Sequence, residues 1–180
     1  DDVPDDPRER THVVEAAVCV QANNRLFAVI FWFVVLGPLA AWAYRASDLI
    51  RRRAVFNEGR EASSESNAAR MRHAAETVHG WVAWIPARLT AVGYAAAGHM
   101  DDAIAALRAP TEDRDLSTSV RSEHLLARVG IAALALQDLP DETANARAIR
   151  GAVAANHLVF KLLLIWAVII AAMTLYGFTQ

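Results

Sequence analysis

Cysteine is almost missing from this chain. Cys19 stands alone among 180 residues, which excludes an internal disulfide framework and any metal site built from several thiolates. One cysteine beside an apolar helical stretch reads as a small packing residue. An excess of charge of one sign is missing too: 18 Lys and Arg face 20 Asp and Glu, for a net charge of −2. No basic stripe with interleaved aromatics runs through the chain, so nucleic acid is not an expected partner. Glycine-rich phosphate loops, a His-Glu-x-x-His pair and a Gly-x-Ser-x-Gly elbow are all absent. The histidines His12, His73, His79, His99, His124 and His157 are scattered. His73 and His79, six apart, do not share one helix face as two ligands would. No metal, no cofactor and no catalytic residue is expected. Alternating β-branched runs are lacking as well, which leaves helices as the only regular structure.

What is present is apolar and unevenly spread. The hydrophobic content of 54% is concentrated in two runs. The first, Leu26 to Tyr44, carries no charge over nineteen residues and holds ten Leu, Ile, Phe or Val. A spanning helix needs roughly 20 apolar residues, and these ten favour insertion by roughly 3 to 6 kcal/mol. Gly37-Pro38 removes a backbone donor inside the run and predicts a kink. Trp42 and Tyr44 lie at its end, where aromatic rings prefer the membrane interface. The second run, Val159 to Phe178, is interrupted only by Lys161, which can snorkel to water. Twelve Leu, Ile, Phe or Val from Leu158 to Phe178 favour insertion by roughly 4 to 7 kcal/mol.

The fold class expected is therefore all-α: an integral membrane helical protein with two spanning helices, 26–44 and 159–178. Residues 1–25 form an acidic start and a helix leading into the membrane. Residues 45–158 form a helical segment between the spans. Arg147, Arg150 and Lys161 flank the second span on its N-side and no basic residue follows it, which puts its C-terminus away from the cytoplasm and residues 46–158 inside it. Within that segment the spacing predicts helices over Asn67 to Ile85, over Asp102 to Arg108 with Asp101 as cap, over Val120 to Gln137, and from Asp141 to Asn156 into the second span. A polar loop is expected from Pro110 to Ser119. The chain begins at Asp1 without a methionine or a signal-peptide pattern, and is expected to be the C-terminal part of a longer protein.

Trp81 to Ala97 contains one charge, Arg88. Its four strongly apolar residues favour insertion by roughly 1 to 2.5 kcal/mol, whereas a central arginine opposes it by roughly 2.5 to 3.5 kcal/mol. This segment is expected to lie at the interface or dip into the membrane rather than cross alone. Arg88 is expected to reach a carboxylate, a carbonyl or a phosphate, with Asp48 and Glu76 as candidate partners.

Three stretches carry a family resemblance. Asn24-Arg25-Leu26-Phe27-Ala28-Val29-Ile30-Phe31-Trp32-Phe33 leads to Gly37-Pro38-Leu39-Ala40 and Ala43-Tyr44-Arg45. Trp84-Ile85-Pro86-Ala87-Arg88-Leu89-Thr90-Ala91 follows, with Tyr94 and Gly98-His99, and the third stretch is Leu175-Tyr176-Gly177. Their order and spacing resemble the AmpE family of inner-membrane proteins, named for a link to β-lactamase induction. They are also similar to the broader superfamily of the cobalamin-pathway membrane proteins CobD/CbiB. The resemblance covers nearly the whole chain and the C-terminal two-thirds or so of such proteins. The superfamily's enzymes join an aminopropanol unit to a corrinoid carboxylate as an amide, which would place Arg88 and Arg45 near a phosphate or carboxylate. Those enzymes carry a Glu-x-x-Ala-Glu-Asn pattern before the first span. Here the stretch runs from Glu15 to Asn24; Glu15 matches the first acid and the second is missing. Their Asn-Thr-Leu-Asp stretch is reduced here to Ala46-Ser47-Asp48-Leu49.

Loss of acids able to activate an amine argues against amide formation. The resemblance thus implies a bacterial inner-membrane, multi-pass regulatory modulator of β-lactamase induction and cell-wall stress, without catalysis. The alternative is a membrane-bound amide ligase of the CobD/CbiB type, an adenosylcobinamide-phosphate synthase. A permease is the third reading, and two spans are few for a transport path. Arg88, Arg45, Tyr44 and Asp48 are the candidate anion- or ligand-binding residues. The expected partners are the lipid bilayer, a membrane or cell-wall signalling protein, and further copies of the chain.

Overall fold

The computed structural model describes residues 7–58, 65–110, 116–137, 139–140 and 142–177. The acidic stretch at 1–6, positions 111–115 of the expected loop, Asp141 and Phe178 lie outside the described residues. Among the described residues there are seven α-helices and no strand. Helix α1, Pro7–Ala22, continues through a wide π turn, Asn23–Phe27, into α2, Ala28–Leu36. In that turn the Ala28 N–H reaches back five residues to the Asn23 carbonyl. The joined helix is apolar and long enough to cross a membrane over His12–Leu36.

The single kinked helix expected over 26–44 is instead divided at Gly37. Gly37 takes φ +83° and ψ −171°, a region open essentially to glycine alone. Pro38 then opens helix α3, Pro38–Glu58, where its missing N–H goes unneeded. The result is a reversal rather than a kink. In a straight helix the 31 positions from Gln21 to Arg52 would span about 46 Å. Arg52 nevertheless donates to Gln21 Oε1 at 3.3 Å, and Ala28 shares an apolar cluster with Tyr44 and Ala83. Trp42 is left 72% exposed, whereas Tyr44 is turned inward and only 2% exposed. The reversal lays Tyr44 against Ala28 and Ala83.

Helix α4, Glu65–Ala97, runs unbroken through Pro86, joining the segments read separately as 67–85 and 81–97. Its 33 residues span about 50 Å. A proline inside a helix leaves the carbonyl four residues earlier without its donor. Here that carbonyl belongs to Val82, and the Trp32 indole N–H donates to it at 3.1 Å. The proline of α4 and the tryptophan of α2 thus form one junction. The Tyr94 hydroxyl makes a second bridge, donating to the Cys19 carbonyl at 2.8 Å.

Helix α5, Met100–Arg108, starts earlier than expected. His99, not Asp101, is its N-cap, because the His99 backbone is extended and its N–H bonds to the Ala133 carbonyl at 2.8 Å. Asp101 and Asp102 lie in the first turn, where carboxylates favour the positive helix end. Helix α6, Thr118–Leu134, is capped by the Ser117 hydroxyl and ends three residues short of the expected Gln137, with Ala135 as a left-handed C-cap. It runs parallel to α4, since Gly80 abuts Ser119 at one end and Gly98 abuts Ala133 at the other. The core lies between α1, α4, α6 and the first half of helix α7, Ala144–Gly177, around Phe27, Tyr94, Leu126, Val129, Leu158 and Leu162. Cys19 is buried within it, and a Cβ on Gly130 would stand 2.6 Å from its sulfur.

Helix α7, Ala144–Gly177, is the second helix able to cross a membrane. Its buried residues end at Leu162. Beyond them Leu164, Val168, Ile169, Met173, Leu175 and Tyr176 are all exposed. Water would not tolerate an apolar face of this extent, and lipid would. The fold is an all-α membrane architecture.

Candidate functional site

The reversal at Gly37 brings polar groups of α1, the π turn, α3 and α6 together. Asp48 on α3 is fully buried. Arg45 Nη1 donates to its Oδ2 at 2.9 Å, and Arg52 Nε reaches both oxygens at 3.0 and 3.1 Å. Arg51 Nη2 stands 3.7 Å from Oδ1. Offsets of three and four residues put all four side chains on one helical face. Arg51 then leaves α3 to donate to Glu123 Oε1 on α6 at 2.6 Å. Asn24, from the π turn, donates to the same oxygen at 3.2 Å. Among the described residues three guanidiniums therefore meet two carboxylates, an excess of one positive charge.

His79 of α4 closes the other side. Its ring lies 5.3 Å from that of Tyr44, and its Nδ1 is 3.2 Å from the Ser47 hydroxyl. Burial, and then the neighbouring Arg51, push its pKa down to about 4 against the opposing pull of Asp48. A buried imidazole beside guanidiniums is thus neutral at ordinary pH. Several buried polar atoms nearby have no hydrogen-bond partner among the described residues: Tyr44 Oη, Asn23 Oδ1, Arg51 Nε and Ser119 Oγ. A buried polar group left unpaired costs about 1 to 3 kcal/mol, and an excess guanidinium beside the Tyr44 hydroxyl and the Arg51 Nε–H is chemically suited to an anion.

Glu15 lies six residues before Gln21 on α1 and is also buried. Arg147 of α7 donates to its Oε1 at 2.5 Å, and the His12 ring faces its Oε2 at 3.3 Å. A Cβ on Gly151 would run into the same carboxylate. Glu15, the position matching the first acid of the cobalamin-type pattern, is thus fully engaged as a tie between α1 and α7.

Of the four site residues read from sequence, the fold unites Tyr44, Arg45 and Asp48 and leaves Arg88 apart. The Arg88 guanidinium stacks 4.0 Å over the Trp84 ring and donates to the Trp84 carbonyl. It reaches a carbonyl, as expected, but not Asp48, which Arg45 and Arg52 hold. Glu76 is twelve residues from Arg88 on the same helix, a separation of about 18 Å. Arg51 and Arg52 belong to the site as well, and their offsets of three and four from Asp48 place them on its helical face. Glu123, Asn23 and His79 gave weaker signals, because only the reversal makes them neighbours of α3.

Neither a curated protein nor a solved structure matches this chain. Residues 2–179 match the family model for the regulatory signalling modulator protein AmpE. That match takes in every element described above, and the chain belongs to the AmpE family.

Proposed function

We propose that this protein is a multi-pass inner-membrane modulator of the signalling that links cell-wall stress to β-lactamase induction, acting by ligand binding rather than catalysis. Family membership over nearly the whole chain carries the reading. The Asp48 cluster supports it. Arg45 is partly exposed, Tyr44 keeps an unused hydroxyl, and the three arginines outnumber their carboxylates. A carboxylate or phosphate ligand would bind Arg45 and Tyr44 and loosen the hold of α3 on Asp48. Because α3 is tied through Arg51 and Arg52 to α6 and α1, such a change would be felt in three helices.

Deletion of the gene is expected to alter both β-lactamase induction and the muropeptide response to a cell-wall antibiotic. The wild-type gene restores both, and an Arg45→Gln variant that inserts and accumulates normally restores neither. Unchanged responses in the deletion strain would overturn the proposal.

A further inference from the structure

A cavity lies away from the Asp48 cluster, where α4 ends, α5 begins, α6 ends and α7 passes. It measures about 310 Å³. Small residues make the room: Gly98, Ala133 and Ala154 line it, and a Cβ on Gly98 would run into the Ala133 carbonyl. Three nitrogen-bearing side chains face this space. His99 comes from the turn between α4 and α5, and His157 and Lys161 come from α7. The latter two are four residues apart and stand one above the other on the helix surface. Helix α5 starts at the same place, and its N-cap supplies no side-chain hydrogen bond, so its first amides keep free donors. Asp101 and Asp102 share that first turn and are exposed. They offset the helix end, and the net attraction for an anion rests on Lys161.

The position of the cavity identifies the anion. Lys161 is the last charged residue of α7; the sixteen residues from Leu162 to Gly177 carry none. Phe160 and Leu164, on either side of it along the helix, are exposed. A lysine at the edge of a bare apolar helix sits at headgroup depth. A phosphate in this cavity would have its acyl chains directed along the bare face of α7.

We infer that the His99–His157–Lys161 cavity binds the phosphate of an anionic membrane lipid. The inference does not depend on the signalling role or on the Asp48 cluster. Native mass spectrometry of the whole chain, released from micelles containing phosphatidylglycerol and phosphatidylcholine, tests it. The wild type is expected to retain phosphatidylglycerol in preference to phosphatidylcholine. Lys161→Gln is expected to lower that retention about five-fold, the effect of one basic group near a membrane surface. His157→Gln combined with Lys161→Gln lowers it further, and Lys161→Arg keeps it. Retention unchanged in the double variant, with helicity intact, would overturn the site. Inorganic phosphate stabilising the wild type as strongly as phosphatidylglycerol, and losing that effect in Lys161→Gln, would overturn the lipid as its source.

Discussion

Pro86 takes one amide hydrogen out of α4, and Trp32 supplies another from α2. The indole replaces the donor that the Val82 carbonyl would have had from residue 86, so the two residues act as one unit. Trp32→Phe keeps most of the ring and deletes the N–H. It is expected to destabilise the protein by about 1 to 3 kcal/mol, the cost of stranding a buried acceptor. Pro86→Ala returns an internal donor to the Val82 carbonyl. In that background Trp32→Phe is expected to cost clearly less. A double-mutant cycle from unfolding in detergent measures the difference. An equal cost in both backgrounds would show that Trp32 serves only as bulk. The same reasoning explains why the Ile-Pro-Ala-Arg stretch is recognisable in sequence. Its proline marks a docking point, while its arginine is satisfied locally on Trp84.

At the scale of elements, Gly37 decides the architecture. Its φ of +83° lies in a region that a side chain disfavours, although nothing within 4 Å would meet an added Cβ. The cost of Gly37→Ala is therefore pure backbone strain, about 1 to 3 kcal/mol. That variant is expected to lower the unfolding temperature and to weaken the Arg52–Gln21 and Arg51–Glu123 bridges across the reversal. Gly177→Ala, at a helical and equally open position, is expected to change little; equal effects of the two would refute the argument. The helices themselves were legible, because apolar periodicity and the lack of strand patterns leave no other choice. The reversal was not. Hydropathy measures how apolar a stretch is and carries no direction, so 26–36 and 38–44 read as one continuous run. The Asp48 cluster was half legible for the same reason. Partners at offsets of three and four on α3 could be read along one helix, whereas Glu123 and His79 depend on a fold-back that hydropathy does not encode.

For the whole molecule, the distribution of bare apolar surface separates a lipid side from a water side. Phe33, Leu36, Leu39 and Trp42 crowd the reversal, Trp81, Ile85, Leu89 and Val92 form a stripe on α4, and α7 is bare beyond Leu162. The outer face of α6 carries exposed Arg121 and His124, and α5 exposes Asp101, Asp102 and Arg108. A bundle with this distribution is expected to face lipid along α2, α4 and α7 and water along α5 and α6. The single cysteine makes this directly measurable, because Cys19 is wholly buried in the core and contributes little background. Cysteines introduced one at a time at Leu39, Leu89 and Val168 are expected to resist a membrane-impermeant maleimide in intact vesicles and to react once the protein is unfolded. Cysteines at Asp102, Arg121 and His124 are expected to react from one side of the membrane without unfolding. Rapid labelling at Leu89 together with Val168 would show that neither α4 nor α7 is covered by lipid. Labelling at Leu89 alone would place α4 in water while α7 remains in the bilayer, which is the arrangement that the charge of Arg88 favours on insertion energy by itself. Protection at Leu89 instead means that the Trp84 ring and carbonyl are enough to carry that guanidinium against the lipid face.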